Sequence, residues 1–336
     1  MEYVGLGRAG VKVSRICLGT MMFGGPTDAD ESIRIMHRAL DAGIQFFDTA
    51  DIYNAGESEV VVGHAIRDRR DQVILATKAR NAMGAGPNDQ GLGRGYLLRA
   101  CEASLRRLGT DYIDVYYMHA PDRTTPIEES LGAMNDLVRQ GKVRYVACSN
   151  YYGFEVVRMQ AIAAQRNLAS ITCVQPLYNV VNREIEVELL PCCQEEGIGV
   201  VVYSPLARGV LTGKYAPGEP FPEGSRAARN DRRMHQTELR EESFAVAQAL
   251  KPLADAHGCT LSQFAVAWTL ANPTVTSAII GPRTMEQFED SLPSLEVRLT
   301  AADEAAVDAQ VPRGWKTGRG FNDPNYPVRG RPVPTG

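Results

Sequence analysis

A (β/α)8 TIM barrel with an N-terminal β-hairpin and long loops at its C-terminal rim is the fold class that the sequence predicts. Three observations predict it. Short β-branched runs alternate with amphipathic stretches along the whole chain, as expected of βα units stacked around a parallel sheet. Eight such runs occur, each followed by a helical pattern, which is the strand count of the barrel. The 336 residues suit that fold plus long loops, and no linker rich in Pro, Gly or Ser divides them, so residues 1–336 are expected to form a single domain.

Strands are expected at 14–19, 44–48, 73–77, 113–118, 143–149, 172–176, 199–204 and 277–280. Between them helices show by spacing: Ile33, Met36 and Leu40; Leu98, Cys101, Leu105 and Leu108; Ile127, Leu131 and Met134; Leu261, Phe264 and Trp268. Start signals agree, with Asp28 placed to cap a helix at Glu31 and Pro126 opening the fourth helix. Near the start, "GLGRAG", Gly5 to Gly10, formally matches the GxGxxG dinucleotide fingerprint. That fingerprint needs a strand before it and a helix after it. Only Met1 to Val4 precede the match, and "VKVSRICLG" after it reads as strand, so Gly7 to Gly10 is expected to be a hairpin turn at the barrel's bottom.

With 44% hydrophobic and 23% charged residues the composition is globular, not disordered. The net charge of -4 and the absence of a sustained Lys/Arg run give no electrostatic reason to expect nucleic acid or an anionic membrane as partner. The one basic cluster, "GSRAARNDRR", reads as a solvated loop. Seven irregularly spaced cysteines fit neither a disulfide framework nor paired zinc knuckles, so reduced thiols and no metal site are expected. The first residues show no basic segment followed by an apolar one, and no window approaches the roughly 20 apolar residues of a membrane span. A cytoplasmic protein is expected, and its oligomeric state stays open.

In such a barrel chemistry sits at the C-terminal ends of the strands. The second expected strand ends in Asp48 with Tyr53 just beyond, the third runs into Lys78, and the fourth into His119. Singly, each has an ordinary explanation: a helix cap, a packing ring, a rim cation, a core histidine. Together they suit one task. A free phenol titrates near ~10, and a neighbouring ammonium favours its ionised form. Lys78 is placed to be that ammonium, Asp48 to hold it charged, and His119 to hydrogen-bond and orient a substrate oxygen. The result is a proton donor aimed at a carbonyl oxygen. No member of the quartet can donate a hydride, so a cofactor must supply it.

The motifs that carry this chemistry resemble those of the aldo-keto reductase superfamily, in its bacterial general aldo/keto reductase form. They are "FDTADIYNAGESE", "ATK", "YMHAPD", "GKVRYVACSN", "VQPLYN" and "YSPLARGVLTGKY", and the likeness runs from "GLGRAGVKVSRICLGTMMFGG" to "IIGPRTMEQFED". The resemblance implies NADPH-dependent reduction of an aldehyde or ketone, with Tyr53 as general acid, Lys78 and Asp48 as its tuning pair, and His119 orienting the carbonyl. Tyr-x-x-x-Lys, the pair of the short-chain dehydrogenases, occurs at no tyrosine.

The same resemblance lays NADP(H) across the rim. It implies contacts from Gly19, Thr20, Met21 and Asp48, and a carboxamide held by Ser149, Asn150 and Gln175. Tyr203 is the expected stacking ring, and Ser204, Leu206, Gly209, Leu211 and Lys214 form the expected pyrophosphate loop. Beyond Ile280 and Gly281, "GPRTMEQFED" opens a helix whose free N–H groups, with Arg283, are expected to bind the 2′-phosphate and so favour NADP(H). Gln287 and Asp290 are the expected adenosine contacts, while Ser291 departs from the asparagine common there. Residues 216–236 are expected to form a loop in which Arg226 or Arg229 touches phosphate or faces solvent. The tail over about 312–336, with Trp315, Phe321 and Tyr326, resembles a segment that folds over the substrate pocket. Two other readings compete: a cofactor-sensing, non-catalytic subunit such as the channel β subunits of this fold, and a lyase using Lys78 as a Schiff-base amine.

Overall fold

Ten strands form in the computed structural model, which describes residues 1–318 and 323–326. They are β1 Tyr3–Gly5, β2 Lys12–Ser14, β3 Ile16–Gly19, β4 Phe46–Asp48, β5 Ile74–Ala79, β6 Ile113–Met118, β7 Val143–Ser149, β8 Ile171–Gln175, β9 Gly199–Tyr203 and β10 Ser277–Ile280. Strands β3 to β10 close into a barrel in the order β10-β3-β4-β5-β6-β7-β8-β9, every pair parallel. The eight expected strands therefore all occur, with ends that differ by a few residues.

The largest difference is the first strand. Residues 14–19 were expected to run unbroken, yet the chain bends at Arg15. Ser14 belongs to the hairpin and its hydroxyl donates to the Ile16 carbonyl at 2.6 Å. The Arg15 side chain donates to the carbonyls of Leu270, Val275 and Thr276, which turns this residue out of the strand. The hairpin itself forms as expected, with β1 antiparallel to β2. Its tip enters the bottom of the barrel: Leu6 is fully buried in one cluster with Cys17, Phe46, Val115, Tyr117, Cys173 and Val201. Gly7 has φ +60, and a Cβ on it would stand 2.5 Å from the Gly199 nitrogen, so only glycine fits the close approach.

Helices follow the strands with recognisable start signals. Asp28 caps Ala29–Asp41 by accepting from Glu31 N at 2.9 Å. Ile127–Arg139 starts one residue after Pro126, which takes the cap position instead of the first helical turn. The buried stripe of Ala29–Asp41 is Ser32, Ile35, Met36 and Ala39. The expected Ile33 and Leu40 are only partly covered, because the stripe is shifted by part of a turn. All seven cysteines are unpaired. Among the described residues no helix is long and apolar enough to cross a membrane, and no cluster of His, Cys, Asp or Glu is arranged to hold a metal ion.

The chain divides into two compact units. The first, Met1–Leu177 with Ile185–Tyr203 and Leu270–Leu292, contains the hairpin and all eight barrel strands. The second comprises Tyr178–Glu184, Ser204–Thr269 and the chain from Pro293 on. Helices Arg232–Thr237, Glu241–Ala256 and Ala301–Gln310 belong to it. Its interior holds Arg183, 1% exposed, paired with Asp308 at 2.8 Å, with its guanidinium 5.2 Å from the Trp268 ring. Trp268 in turn donates to Glu304 at 2.8 Å. A buried cation with these partners is a stable arrangement, since its charge and donors are met.

Candidate active site

The strand ends of the first unit bring the four expected ionisable groups together. Asp48 ends β4, and Lys78 lies inside β5, one residue from its end, not beyond it as expected. The Lys78 side chain is fully buried and makes three contacts: Asp48 Oδ1 at 2.5 Å, the Thr49 carbonyl at 2.7 Å and the Tyr53 hydroxyl at 3.3 Å. All three ammonium donors are thereby directed. Burial alone lowers the pKa of this lysine. The Asp48 charge, then Tyr53 and the hydrogen bonds to both, outweigh burial and hold its pKa above the ordinary lysine value. The second Asp48 oxygen accepts from Gln175 Nε2 at 2.8 Å, so the carboxylate is satisfied on both sides.

Tyr53 is presented by a tight turn. It opens a 3-10 turn, Tyr53–Gly56, in which Asn54, Ala55 and Gly56 all have positive φ. Two of these are not glycine, a conformation that costs about 1–2 kcal/mol per residue and persists where other contacts impose it. Here Asn54 imposes it, donating to the Met21 and Phe23 carbonyls at 3.1 and 2.7 Å. The Tyr53 ring meets His119 edge-on, centroids 5.9 Å apart and planes at 81°.

His119 follows β6, its N–H bonded to the Ala79 carbonyl at 3.0 Å. Burial, then the charges of Lys78 and Arg80, hold its pKa well below the ordinary histidine range, so the ring is neutral. The side-chain amide of Asn81 stands 3.2 Å from His119 Nδ1. Sequence reading missed Asn81, which lies in a loop with no periodicity to mark it; the signal was its nearness to Lys78 at a strand end. Two further acids were missed inside the quoted motif "FDTADIYNAGESE". Glu59 is buried and accepts from Thr77 at 2.5 Å and Arg107 Nε at 2.7 Å. Asp51 is fully buried and neither of its carboxylate oxygens makes a well-formed hydrogen bond, although the Ile52 N–H and the Tyr96 hydroxyl act on it.

The groups expected to hold a nicotinamide carboxamide also converge in the first unit. Ser149 donates to the Gln175 carbonyl at 2.7 Å, and Asn150 donates to Ser149 Oγ at 2.9 Å and to the His119 carbonyl at 3.1 Å. The Tyr203 hydroxyl donates to Asn150 Oδ1 at 2.8 Å, which fixes its ring. With Nε2 of Gln175 engaged by Asp48, its carbonyl oxygen is left as the acceptor. Tyr203 thereby presents a flat ring beside the amides of Asn150 and Gln175. Gly19, ending β3, packs so closely that a Cβ there would lie 2.6 Å from an Ile279 methyl. Thr20 hydrogen-bonds the Asp48 carbonyl, and Met21 is exposed.

At the eighth strand end the expectation of free N–H groups is corrected. Arg283 N donates to Gln287 Oε1 at 2.9 Å, Met285 N to Glu31 Oε1 at 2.8 Å and Gln287 N to Thr284 Oγ1 at 3.3 Å. Side chains already cap this seven-residue helix, Met285–Ser291. Three N–H groups at this helix start, those of Arg283, Met285 and Gln287, are thus already engaged by side chains. Ile280 ends β10, Gly281 has open space where a side chain would be, and Asp290 lies on the helix.

The remaining expected contacts lie in the second unit. Ser204, Ala207, Arg208 and Gly209 have positive φ, and Gly209 N and Leu211 N both donate to the Leu206 carbonyl. Lys214 stands 5.4 Å from the Tyr215 ring. Residues 216–236 are not all loop, because helix Arg232–Thr237 begins inside them, and Arg226 pairs with Asp231 at 3.4 Å. In the tail Trp315 is 55% exposed, Tyr326 lies near Arg233, and Phe321 falls outside the described residues.

Fold and rim together define a parallel eight-stranded barrel with a buried lysine–aspartate pair set against a phenol. The chain belongs to the aldo/keto reductase family, whose model matches residues 15–311, a family of oxidoreductases acting on small carbonyl compounds with a nicotinamide cofactor. It is 42% identical over 310 residues to "Uncharacterized oxidoreductase YrpG" of Bacillus subtilis, covering 89% of this chain and 92% of that protein. It is 38% identical over 303 residues to a "Probable voltage-gated potassium channel subunit beta" of Oryza sativa, and equally to one of Arabidopsis thaliana, covering 88% of this chain and 92% of each relative.

Proposed function

We propose that this protein reduces an aldehyde or ketone to the alcohol with NADPH, Tyr53 giving the proton. The observation that carries the proposal is the Lys78 ammonium, 3.3 Å from the Tyr53 hydroxyl and charged against Asp48. An ammonium at that distance stabilises the phenolate left after proton transfer, which lowers the barrier to the transfer. Neutral His119 donates to the carbonyl oxygen and orients it toward Tyr53. Ser149, Asn150 and Gln175 hold the carboxamide, Tyr203 covers one ring face, and the nicotinamide, when bound, supplies the hydride. Arg283 meets the 2′-phosphate, with Gln287 and Asp290 on the adenosine side. In the second unit, the successive left-handed residues around Leu206 form the kind of backbone concavity that receives anions, which supports the pyrophosphate reading of Ser204, Leu206, Gly209, Leu211 and Lys214. A cytoplasmic location is part of the same reading.

The test is NADPH oxidation over a panel of aldehydes, ketones and sugars, with Tyr53→Phe as control. The variant is expected to bind NADPH as the parent does and to lose about 10²–10⁴ in rate. A rate within a few fold of the parent removes Tyr53 from the mechanism. The relatives named as potassium channel β subunits favour a second reading, a cofactor-binding subunit with little turnover. Saturable NADPH binding with no turnover of any carbonyl on the panel selects it.

A further inference from the structure

Arg80 follows β5 directly. The register that sets Lys78 opposite Tyr117 and Ala79 opposite Met118 brings it beside His119 when continued by one residue. The backbone is fixed there, since Ala79 O accepts from His119 N and Arg80 O accepts from Gly91 N at 2.7 Å. Strand alternation puts Arg80 on the same side as Lys78.

Its side chain lacks a counter-charge among the described residues. Nε is buried with no hydrogen-bond partner, and among the described residues no carboxylate pairs with the guanidinium. Four other covered arginines are paired, Arg70 with Asp114, Arg107 with Glu59, Arg183 with Asp308 and Arg240 with Glu238, whereas Arg208 shares with Arg80 a buried Nε that meets no acceptor. Asp122, close by in sequence to His119, is no substitute, because it already accepts from Leu92 N, Thr124 and Thr125. A partly buried cation lacking a counter-charge is costly, and the cost is relieved when a ligand brings the anion.

We propose that Arg80 binds an anionic group of the substrate, so that the carbonyl compound reduced here carries a carboxylate or phosphate close to its carbonyl carbon. The planar guanidinium fork matches either group. The position beside His119 places the anion at the substrate end of the site and not with the cofactor phosphates. The inference rests on His119 as the group that orients the carbonyl.

Matched pairs test it: succinic semialdehyde against its methyl ester, and glyceraldehyde 3-phosphate against glyceraldehyde, followed by NADPH oxidation. The parent protein is expected to favour the anion in one pair by about 10–100-fold in kcat/KM, and the favoured pair tells carboxylate from phosphate. Arg80→Gln is expected to bring that ratio to within a few fold of one, and Arg80→Lys to keep part of it. Turnover of the neutral partner by each variant shows that it is folded. A second readout is independent of turnover: fluorescence titration with 4-hydroxybutyrate and with glycerol 3-phosphate in the presence of NADP+. Arg80-dependent anion binding without turnover upholds the anion site while the reductase reading fails. Equal rates for charged and neutral partners in the parent overturn the inference. So does a preference that survives Arg80→Gln, or a variant that loses NADPH affinity with the ratio unchanged.

Discussion

The side-chain amide nitrogen of Asn81 lies 3.2 Å from His119 Nδ1. An amide nitrogen can only donate, so this nitrogen of the neutral ring is the acceptor and the proton sits on Nε2. That tautomer is the one able to donate to a carbonyl oxygen.

Asn81→Asp reverses the arrangement. A carboxylate accepts from Nδ1–H, which strips Nε2 of its proton in the neutral ring, and it also favours the imidazolium. Reduction is expected to fall about 10²–10³-fold at high pH, the range for losing one preorganised donor. It recovers as pH falls, because the imidazolium carries a proton on both nitrogens. The parent protein, whose His119 is held neutral, shows no such recovery. A pH–rate profile and the ¹⁵N spectrum of His119 check both statements; matching profiles refute the tautomer assignment.

Lys78 and Asp48 are wholly covered by protein, so removing one charge strands the other. Lys78→Met is expected to cost about 3–5 kcal/mol of stability, as for other broken buried pairs. Asp48→Asn combined with Lys78→Met should regain part of that stability yet restore no activity, because the phenol still lacks its cation. Urea denaturation at neutral pH measures the first effect and NADPH oxidation the second. Recovery of both together would show that the pair acts only through folding.

Burial, followed by the nearby Glu59 charge, raises Asp51 from the ordinary 3.8 to about 7, while the Ile52 N–H, Arg107 and Lys78 pull the other way. The folded state therefore keeps a proton that the unfolded chain has lost. Stability from this group is present below about pH 4, declines as pH rises to about 7 and is flat above. Asn carries no charge to strand, so Asp51→Asn is expected to flatten the profile and to gain about 1–3 kcal/mol at pH 8, after allowing for its unpaired amide. Thermal melts between pH 4 and 8 decide; parallel curves for the two proteins rule out the ionisation of Asp51 as the cause.

Much of this architecture is legible in residues such as Ile113 to Met118, where a short β-branched and aromatic run broken only by Asp114 reads as a strand buried on both faces. The quartet is legible for a related reason: charged residues directly after such runs are too costly to be accidental. Asn81 and Arg80 escape that logic, because polar residues in a loop are ordinary until the β5–β6 register shows what they face. Asp51 escapes it as well, since its burial without a well-formed hydrogen bond is a fact of three-dimensional packing. The occupied Met285 N–H depends on Glu31, which is distant in sequence and reaches it only in the closed barrel.

Those occupied donors sharpen the prediction on cofactor choice. With the N–H groups of Arg283, Met285 and Gln287 bonded to side chains, a 2′-phosphate has the Arg283 guanidinium as its partner there. Arg283→Ala is then expected to weaken NADPH binding about 10–100-fold, from the roughly 1.5–3 kcal/mol of a charge-assisted contact. NADH, which lacks the phosphate, should be nearly unaffected. Added salt should narrow the difference, because the helix start is partly open to solvent. Fluorescence titration of both cofactors against parent and variant gives the answer. Equal losses for the two would mean that Arg283 shapes the loop through its backbone bonds to Thr27 and Gln287, and the preference for NADPH would have to come from another cation.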